Sequence, residues 1–269
     1  MAKPKALILS GYGINCEEET AYAFQKYGAN PEIVHVNDLI DGLKKFEDYQ
    51  ILAIPGGFAY GDDTGAGKAM ANRIANNLRE AVLKFVQKDK LAIGICNGFQ
   101  VLTALGLAPA LDDQYGERQS GLMANDNNRY TCRWVHLKTG SKKCVWTKGV
   151  ERLYIPIAHG EGYFYMPEEK VKELQTNDQV VFTYTKEDGS PAGGEYPYNP
   201  NGSILDIAGI CDGSGRVLGL MPHPERHLFF HNHPDFTLLK EKYLREDEAL
   251  PQEGEGGKVF KNAVNYFSG

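Results

Sequence analysis

The chain has 269 residues, 42% of them hydrophobic, and its 29 basic and 35 acidic residues leave a net charge of −6. That is enough apolar material for one sizeable core, and the mildly acidic balance speaks against a basic groove for nucleic acid. No run of 18 apolar residues occurs, so no membrane span is expected, and five cysteines without paired spacing fit a reducing, cytoplasmic setting rather than disulfides.

The opening MAKPKALILSGYG turns polar too soon for a signal peptide, so KALILS (5–10) reads as a buried first strand. A helix follows, with Asn15 as its cap and Glu17 to Glu19 at its positive end. Ala21, Phe24 and Tyr27 recur at helical spacing. PEIVHV (31–36) is the second strand and NDLIDGLKKFEDY a short capped helix. ILAI (51–54) is the third strand, ended by Pro55-Gly56-Gly57. AMANRIANNLREAVLKFVQKD is a long amphipathic helix. LAIGI (91–95) is the fourth strand, and NGFQVLTALG its helix, closed by Gly106. Apolar strands alternating with helices predict an α/β fold with an open, doubly wound, mostly parallel sheet covered on both faces.

The second half changes character. YTCRWVHLKT, LYIPIA, QVVFTYT, ILDIAGICD and VLGLMP read as strands with little helix between them, and DGSG (212–215) is a hairpin turn. They predict a mixed-sheet extension on the same core. Two helical pieces, FTLLKEKYLRE and KVFKNAVNYF, flank a polar and mobile loop, ALPQEGEGGK.

Cys96 stands at the corner between the fourth strand and its helix, with Gly94 and Gly98 two residues away on either side. Ligands of open α/β sheets bind outside the carboxyl ends of the strands. A helix N-terminus there favours a thiolate, and the glycines make room for a sharp turn, the geometry of a nucleophile elbow. The Asn97 N–H then points where an oxyanion forms, with a second donor from Gly57 or Phe58 at the neighbouring strand end. Two His-x-Glu stretches offer a base and its orienter: His159-Gly160-Glu161 and His223-Pro224-Glu225. In extended backbone, residues two apart share a side. Pro222 and Pro224 stiffen the second stretch and Gly160 loosens the first, which favours His223 modestly. Cys16, Cys132, Cys144 and Cys211 read as ordinary small apolar residues.

Two further signals point to no site. GDDTGAGKA (61–69) has Asp62 and Ala69 where a phosphate loop needs Gly and Ser or Thr, and Asp62 and Asp63 would repel phosphate. The run His223, His227, His231, His233 lacks a nearby cysteine and is interrupted by Pro224, so no metal is expected there.

GICNGFQ, PGGF and the late HPE together resemble the class I glutamine amidotransferases. PGGFAYGD, CNGFQVLTALGL, PIAHGEGYF and YNPNGSILDIAGICDGSGRVLGLMPHPERH resemble, within that family, the glutaminase-subunit branch of the phosphoribosylformylglycinamidine synthases of purine biosynthesis. The resemblance implies a flavodoxin-like amidotransferase domain over 1–228, with 229–269 as a helical extension packed on it. It implies Cys96 as nucleophile, His223 as base, Glu225 as orienter, Gly57 and Asn97 as oxyanion donors and Gln100 as a glutamine-holding residue. His159 is then outside the triad, with a structural or partner-facing role. The implied substrate is glutamine. The implied partner is a large synthase subunit, with a small accessory subunit as an optional third member. No cofactor is implied in this chain, since ATP and Mg²⁺ belong to the partner. DTGAGKAM, after YGD, is nearer the fused, large form of the synthase. Two other classes fit the residues: a stand-alone cysteine amidase or peptidase on a related fold, and a non-catalytic binding subunit.

Overall fold

The computed structural model describes residues 3–62 and 65–268. Of the phosphate-loop stretch, Asp63 therefore lies outside the described residues. The first half alternates strand and helix: β1 (Lys5–Ser10), α1 (Glu17–Lys26), β2 (Asn30–His35), α2 (Val36–Ile40), β3 (Ile51–Ile54), α3 (Lys68–Val86), β4 (Leu91–Ile95) and α4 (Asn97–Ala104). The second half runs β5 (Gly121–Met123), β6 (Thr131–Thr139), β7 (Arg152–His159), β8 (Tyr163–Tyr165), α5 (Glu168–Thr176), β9 (Val180–Thr185), β10 (Ile207–Cys211) and β11 (Val217–Leu220). It ends with α6 (Phe236–Arg245) and α7 (Gly257–Tyr266).

Nine strands form one sheet in the order β2-β1-β3-β4-β11-β10-β9-β6-β7. The first five pair in parallel. From β11 onward the pairing is antiparallel, which is the mixed extension. Four successive residues of β1, Ala6 to Leu9, are at most 1% exposed. Side chains alternate faces along a strand, so burial of every residue means that both faces are covered. No helix is long and apolar enough to cross a membrane among the described residues.

Several local expectations change. The cap residue of α1 is Cys16, and it makes no side-chain capping bond. Asn15 instead accepts a hydrogen bond from the Cys16 thiol at 3.3 Å. NDLIDGLKKFEDY is not one helix: α2 stops at Ile40, where Gly42 takes φ +73°, and a single 3₁₀ turn covers Phe46–Asp48. Helix α5 adds a regular element where little helix was expected, burying Val171 and Leu174 at a spacing of three. The DGSG turn is as expected. Gly215 takes φ +74°, and buried Asp212 accepts bonds from the N–H groups of Arg216 and Val217, both at 2.9 Å.

The tail is tied to the body. Phe260 of α7 is fully buried and stands edge-on to Phe24 of α1 at 5.1 Å, with Val259, Ala263 and Val264 in the same core. The loop ALPQEGEGGK is pinned where mobility was expected. Its Glu255 carboxylate accepts from the Tyr154 N–H at 2.5 Å, and Gly256 N–H donates to His227 O at 3.0 Å. Phe260→Ala should therefore cost about 3–5 kcal/mol of folding stability, the range for truncating a buried Phe. Urea unfolding of the two proteins side by side measures it.

Candidate active site

Neighbouring parallel strands β1, β3, β4 and β11 end at the same edge of the sheet, and each delivers a segment to one place. β1 leads through Gly13 to Cys16, β3 to Gly56-Gly57, β4 to Cys96, and β11 to His223. Pairing continues past the strand ends, since Cys96 N–H donates to Leu220 O at 2.8 Å.

Cys96 has φ 52° and ψ −107°, a left-handed backbone that costs a non-glycine residue about 1–3 kcal/mol. Its neighbours explain how that is held. A Cβ on Gly98 would sit 1.8 Å from Ile54 O, and one on Gly94 would sit 2.5 Å from Gly98 O. No side chain fits at either position. α4 is thus seated directly on the ends of β3 and β4, and the Cys96 thiol donates to Ala158 O at 3.7 Å.

His223 is 1% exposed, and its Nδ1–H donates to Glu225 Oε1 at 2.5 Å. The carboxylate reaches the ring through a 3₁₀ turn, Pro224–Arg226, rather than through the extended backbone expected from the spacing. Burial alone pushes the imidazole pKa down. The negative charge of Glu225, then that of Cys96, overrides it and holds the ring well above its ordinary value. An imidazolium is the natural companion of a thiolate. Its other nitrogen, Nε2, is buried without a hydrogen-bond partner. His159-Gly160-Glu161 does not form the same pair. The Glu161 carboxylate accepts from Ala66 N–H at 3.1 Å instead.

Asn97 opens α4 at the elbow, and Gly57 lies just past the end of the neighbouring strand β3. Among the described residues, the N–H groups of Gly57 and Asn97 have no protein acceptor. The alternative donor, Phe58, is excluded because its N–H is spent on Gly13 O at 2.7 Å. The Asn97 side chain ties the elbow to its surroundings: Oδ1 accepts from Ala59 N–H at 3.2 Å, and Nδ2 donates to Gln100 Oε1 at 2.8 Å. Gln100 in turn donates to Glu161 O at 2.6 Å. A pocket of about 170 Å³ opens over Cys96, with Gly57, Gln100, Tyr130, His159 and Glu161 in its wall.

Sequence reasoning missed three residues here. Cys16, read as a plain apolar residue, lies against His223, and its sulfur accepts from Arg226 Nη2 at 3.1 Å. Burial, ahead of the opposing pull of His223, raises the thiol pKa. Asn125 anchors the His159 loop, with Nδ2 donating to His159 O at 3.0 Å and Oδ1 accepting from Gly162 N–H at 3.0 Å. That loop is held fast where Gly160 suggested looseness. Tyr130 lines the pocket mouth. Only the carboxylate and cation two and three residues beyond His223 gave any signal for Cys16, and Asn125 sits in a run, ANDNNRY, with no chemical signature.

His159 is the buried neutral histidine of the site. Its ring meets Asn125 Oδ1 through Nδ1 at 3.1 Å, and burial, reinforced by the nearby charge of His223, pushes its pKa down to about 3. An unfolded histidine titrates near 6.5. Between those values the unfolded chain binds the extra proton, so stability falls as pH falls from 6.5 towards 3. His223, raised in the folded state, does not titrate in that window. His159→Gln should lose less stability over the window than the parent, by up to about 1.4 kcal/mol per pH unit. Denaturant midpoints measured across that range check the slope.

The sequence pattern of the CobB/CobQ-like glutamine amidotransferase domain matches residues 3–267. A phosphoribosylformylglycinamidine synthase subunit PurQ from Methanococcus maripaludis strain C7 is 56% identical over 266 residues, covering 98% of each chain. The PurQ subunit of Dehalococcoides mccartyi is 42% identical, covering 99% of this chain and 98% of its own. A solved structure of PurLQS from Thermotoga maritima matches with a TM-score of 0.73 at 28% identity, over 99% of this chain and 100% of that one. A glutamine amidotransferase of the same organism shares the fold, with a TM-score of 0.51 at 15% identity over 98% of this chain and 91% of that one. These matches span both chains nearly end to end, and the elbow, the buried His–Glu pair and the parallel sheet edge lie inside them. The chain belongs to the CobB/CobQ-like glutamine amidotransferase family, among the phosphoribosylformylglycinamidine synthase PurQ subunits.

Proposed function

We propose that this chain is the glutaminase subunit of a phosphoribosylformylglycinamidine synthase, hydrolysing glutamine to glutamate and ammonia for de novo purine biosynthesis. The observation that carries the reading is Cys96 on a strained elbow, beside a buried His223 that is fixed by Glu225 at 2.5 Å. The Cys96 thiolate attacks the side-chain amide carbon of glutamine. The N–H groups of Gly57 and Asn97 hold the oxyanion. The His223 imidazolium gives its Nε2 proton to the departing nitrogen, ammonia leaves, and a thioester remains. Neutral His223 then takes a proton from water, the hydroxide attacks the thioester, and the thiolate leaves with glutamate released. Glu225 keeps the ring oriented throughout. Gln100, fixed between Asn97 and Glu161, shapes the wall against which glutamine lies.

The ammonia acceptor is a large, ATP-using synthase subunit that carries the Mg²⁺, with a small accessory subunit as third member. PurLQS, a structure whose PurQ-like chain is matched over its full length, supports that assembly. This chain needs no cofactor of its own and works in the cytoplasm. The relatives matched over nearly their whole length are separate subunits, which supports a separate chain rather than the fused form suggested by DTGAGKAM. Residues 1–228 form the catalytic domain, and 229–269 are an extension that braces the His223 segment.

An electrophilic glutamine analogue should leave a single adduct on Cys96, blocked by excess glutamine. Cys96→Ser should lose glutamine-dependent synthesis, while synthesis driven by added ammonia survives in the assembled complex. Glutamine-dependent synthesis that persists in Cys96→Ser would overturn the assignment, and so would an adduct elsewhere with Cys96 free.

His223→Ala should lower kcat for glutamine by at least about 10²-fold, the usual worth of a general acid–base. His159→Ala should cost far less. Equal losses in steady-state assays would return the role of base to both histidines.

A further inference from the structure

One point at the strand ends is surrounded by groups that ligate soft metals. A methyl placed on Gly56 would stand 2.7 Å from His223 Cε1, 3.1 Å from Cys16 Sγ and 3.5 Å from Cys96 Cβ. One donor atom from each of Cys16, His223 and Glu225 lies within 4.8 Å of the other two. His223 Nε2 is buried and makes no hydrogen bond, and the same is true of Glu225 Oε2. Glutamine hydrolysis uses Cys96, His223 and Glu225, and it leaves Cys16 without a task.

The donor set is specific in its chemistry. Thiolate and neutral imidazole are ligands for zinc and its soft neighbours, not for magnesium or calcium. Glu225 on Nδ1–H is the carboxylate–histidine arrangement that turns the opposite nitrogen towards a metal. Zinc holds sulfur at about 2.3 Å and nitrogen at about 2.0 Å; Cys16 and His223 already lie within 4.8 Å of each other, and Cys96, whose Cβ lies 3.5 Å from the same point, turns its sulfur in to join them. Two thiolates neutralise the dication, which suits a buried site. The opposing charge is Arg226, beside the Cys16 sulfur, and it is offset by Glu19 at 3.8 Å and Glu225 at 4.0 Å.

We infer that Cys16, Cys96 and His223 together form a binding site for a soft divalent cation such as zinc, and that its occupancy silences the nucleophile. The Cys16 thiol gives up its proton and the Cys96 thiolate–His223 imidazolium pair gives up the one on Nε2, so two sulfurs and the neutral ring each donate a lone pair to the ion with no change of oxidation state. The ion is an inhibitor rather than a resident cofactor, since it occupies both the attacking sulfur and the base. Binding itself is independent of the glutaminase reading, and only its effect on turnover rests on it.

The test uses the full reduced chain, with Co²⁺ as a coloured stand-in and Zn²⁺ as competitor. The expected result is one tightly bound cobalt with a thiolate charge-transfer band and the strong visible bands of tetrahedral coordination, all displaced by zinc. Zinc should also slow alkylation of Cys96 by a small electrophile, a readout that needs no variant. Cys16→Ala should weaken zinc binding at least tenfold, and should raise by the same factor the zinc concentration that halves its own turnover. His231→Ala and His233→Ala, altered at the only other histidines of the tail stretch beyond His227, should change neither. Cobalt bound without a thiolate band, or wild-type zinc affinity in Cys16→Ala, overturns the site. A thiolate–cobalt spectrum in a chain that turns over no glutamine, alone or with its synthase partner, upholds the site and sinks the glutaminase reading instead.

Discussion

Everything at the active edge depends on how closely α4 is pressed onto the sheet. The first turn of α4 rests on the carbonyl of Ile54 at a distance that leaves no room for a Cβ on Gly98, and Gly94 is closed off by the same helix turn. That contact forces the backbone of Cys96 into its left-handed conformation. Strain of this kind persists only where surrounding structure over-determines it. Here the determination comes from two strands, a helix and the continued pairing of Cys96 N–H with Leu220 O.

Around this fixed corner the polar side chains form a closed chain of bonds. Asn97 binds Ala59 and Gln100, Gln100 binds Glu161, and Glu161 binds Ala66. Asn125 secures the turn that carries His159 and Glu161. The result separates two histidines that look alike in the sequence. One faces a carboxylate and takes a proton readily; the other faces an amide and stays neutral. The difference is one of partner, since both rings are buried.

The parallel half of the fold was legible because β1, β3, β4 and β11 are buried on both faces and read as apolar runs, and because Gly94, Cys96 and Gly98 mark a corner by spacing alone. Candidates for nucleophile, base and oxyanion donor could be proposed because each lies next to a strand end that the periodicity already located. What stayed hidden depends on contacts between distant segments. Cys16 is 207 residues from His223 in the sequence and is brought there only by the neighbouring ends of β1, β3, β4 and β11. Asn125 acts through its amide on backbone groups of His159 and Gly162, at the end of β7 and in the loop after it, which no local pattern announces. The choice between Gly57 and Phe58 needed the bond from Phe58 to Gly13. The C-terminal loop looked mobile from its glycines. Those glycines are there because Pro224 O and His227 O approach within 2.0 Å and 2.4 Å of where their Cβ atoms would lie.

That loop ties the active edge to the far end of the chain. The first four strands and α4 lie within the first 104 residues, whereas the Leu220 O that meets the Cys96 N–H lies far beyond them. The His223 segment follows more than a hundred residues later, and its brace at Gly254 and Gly256 later still. A cut between His227 and Gly254 would therefore free the His223 segment from its brace while leaving the first four strands and α4 intact.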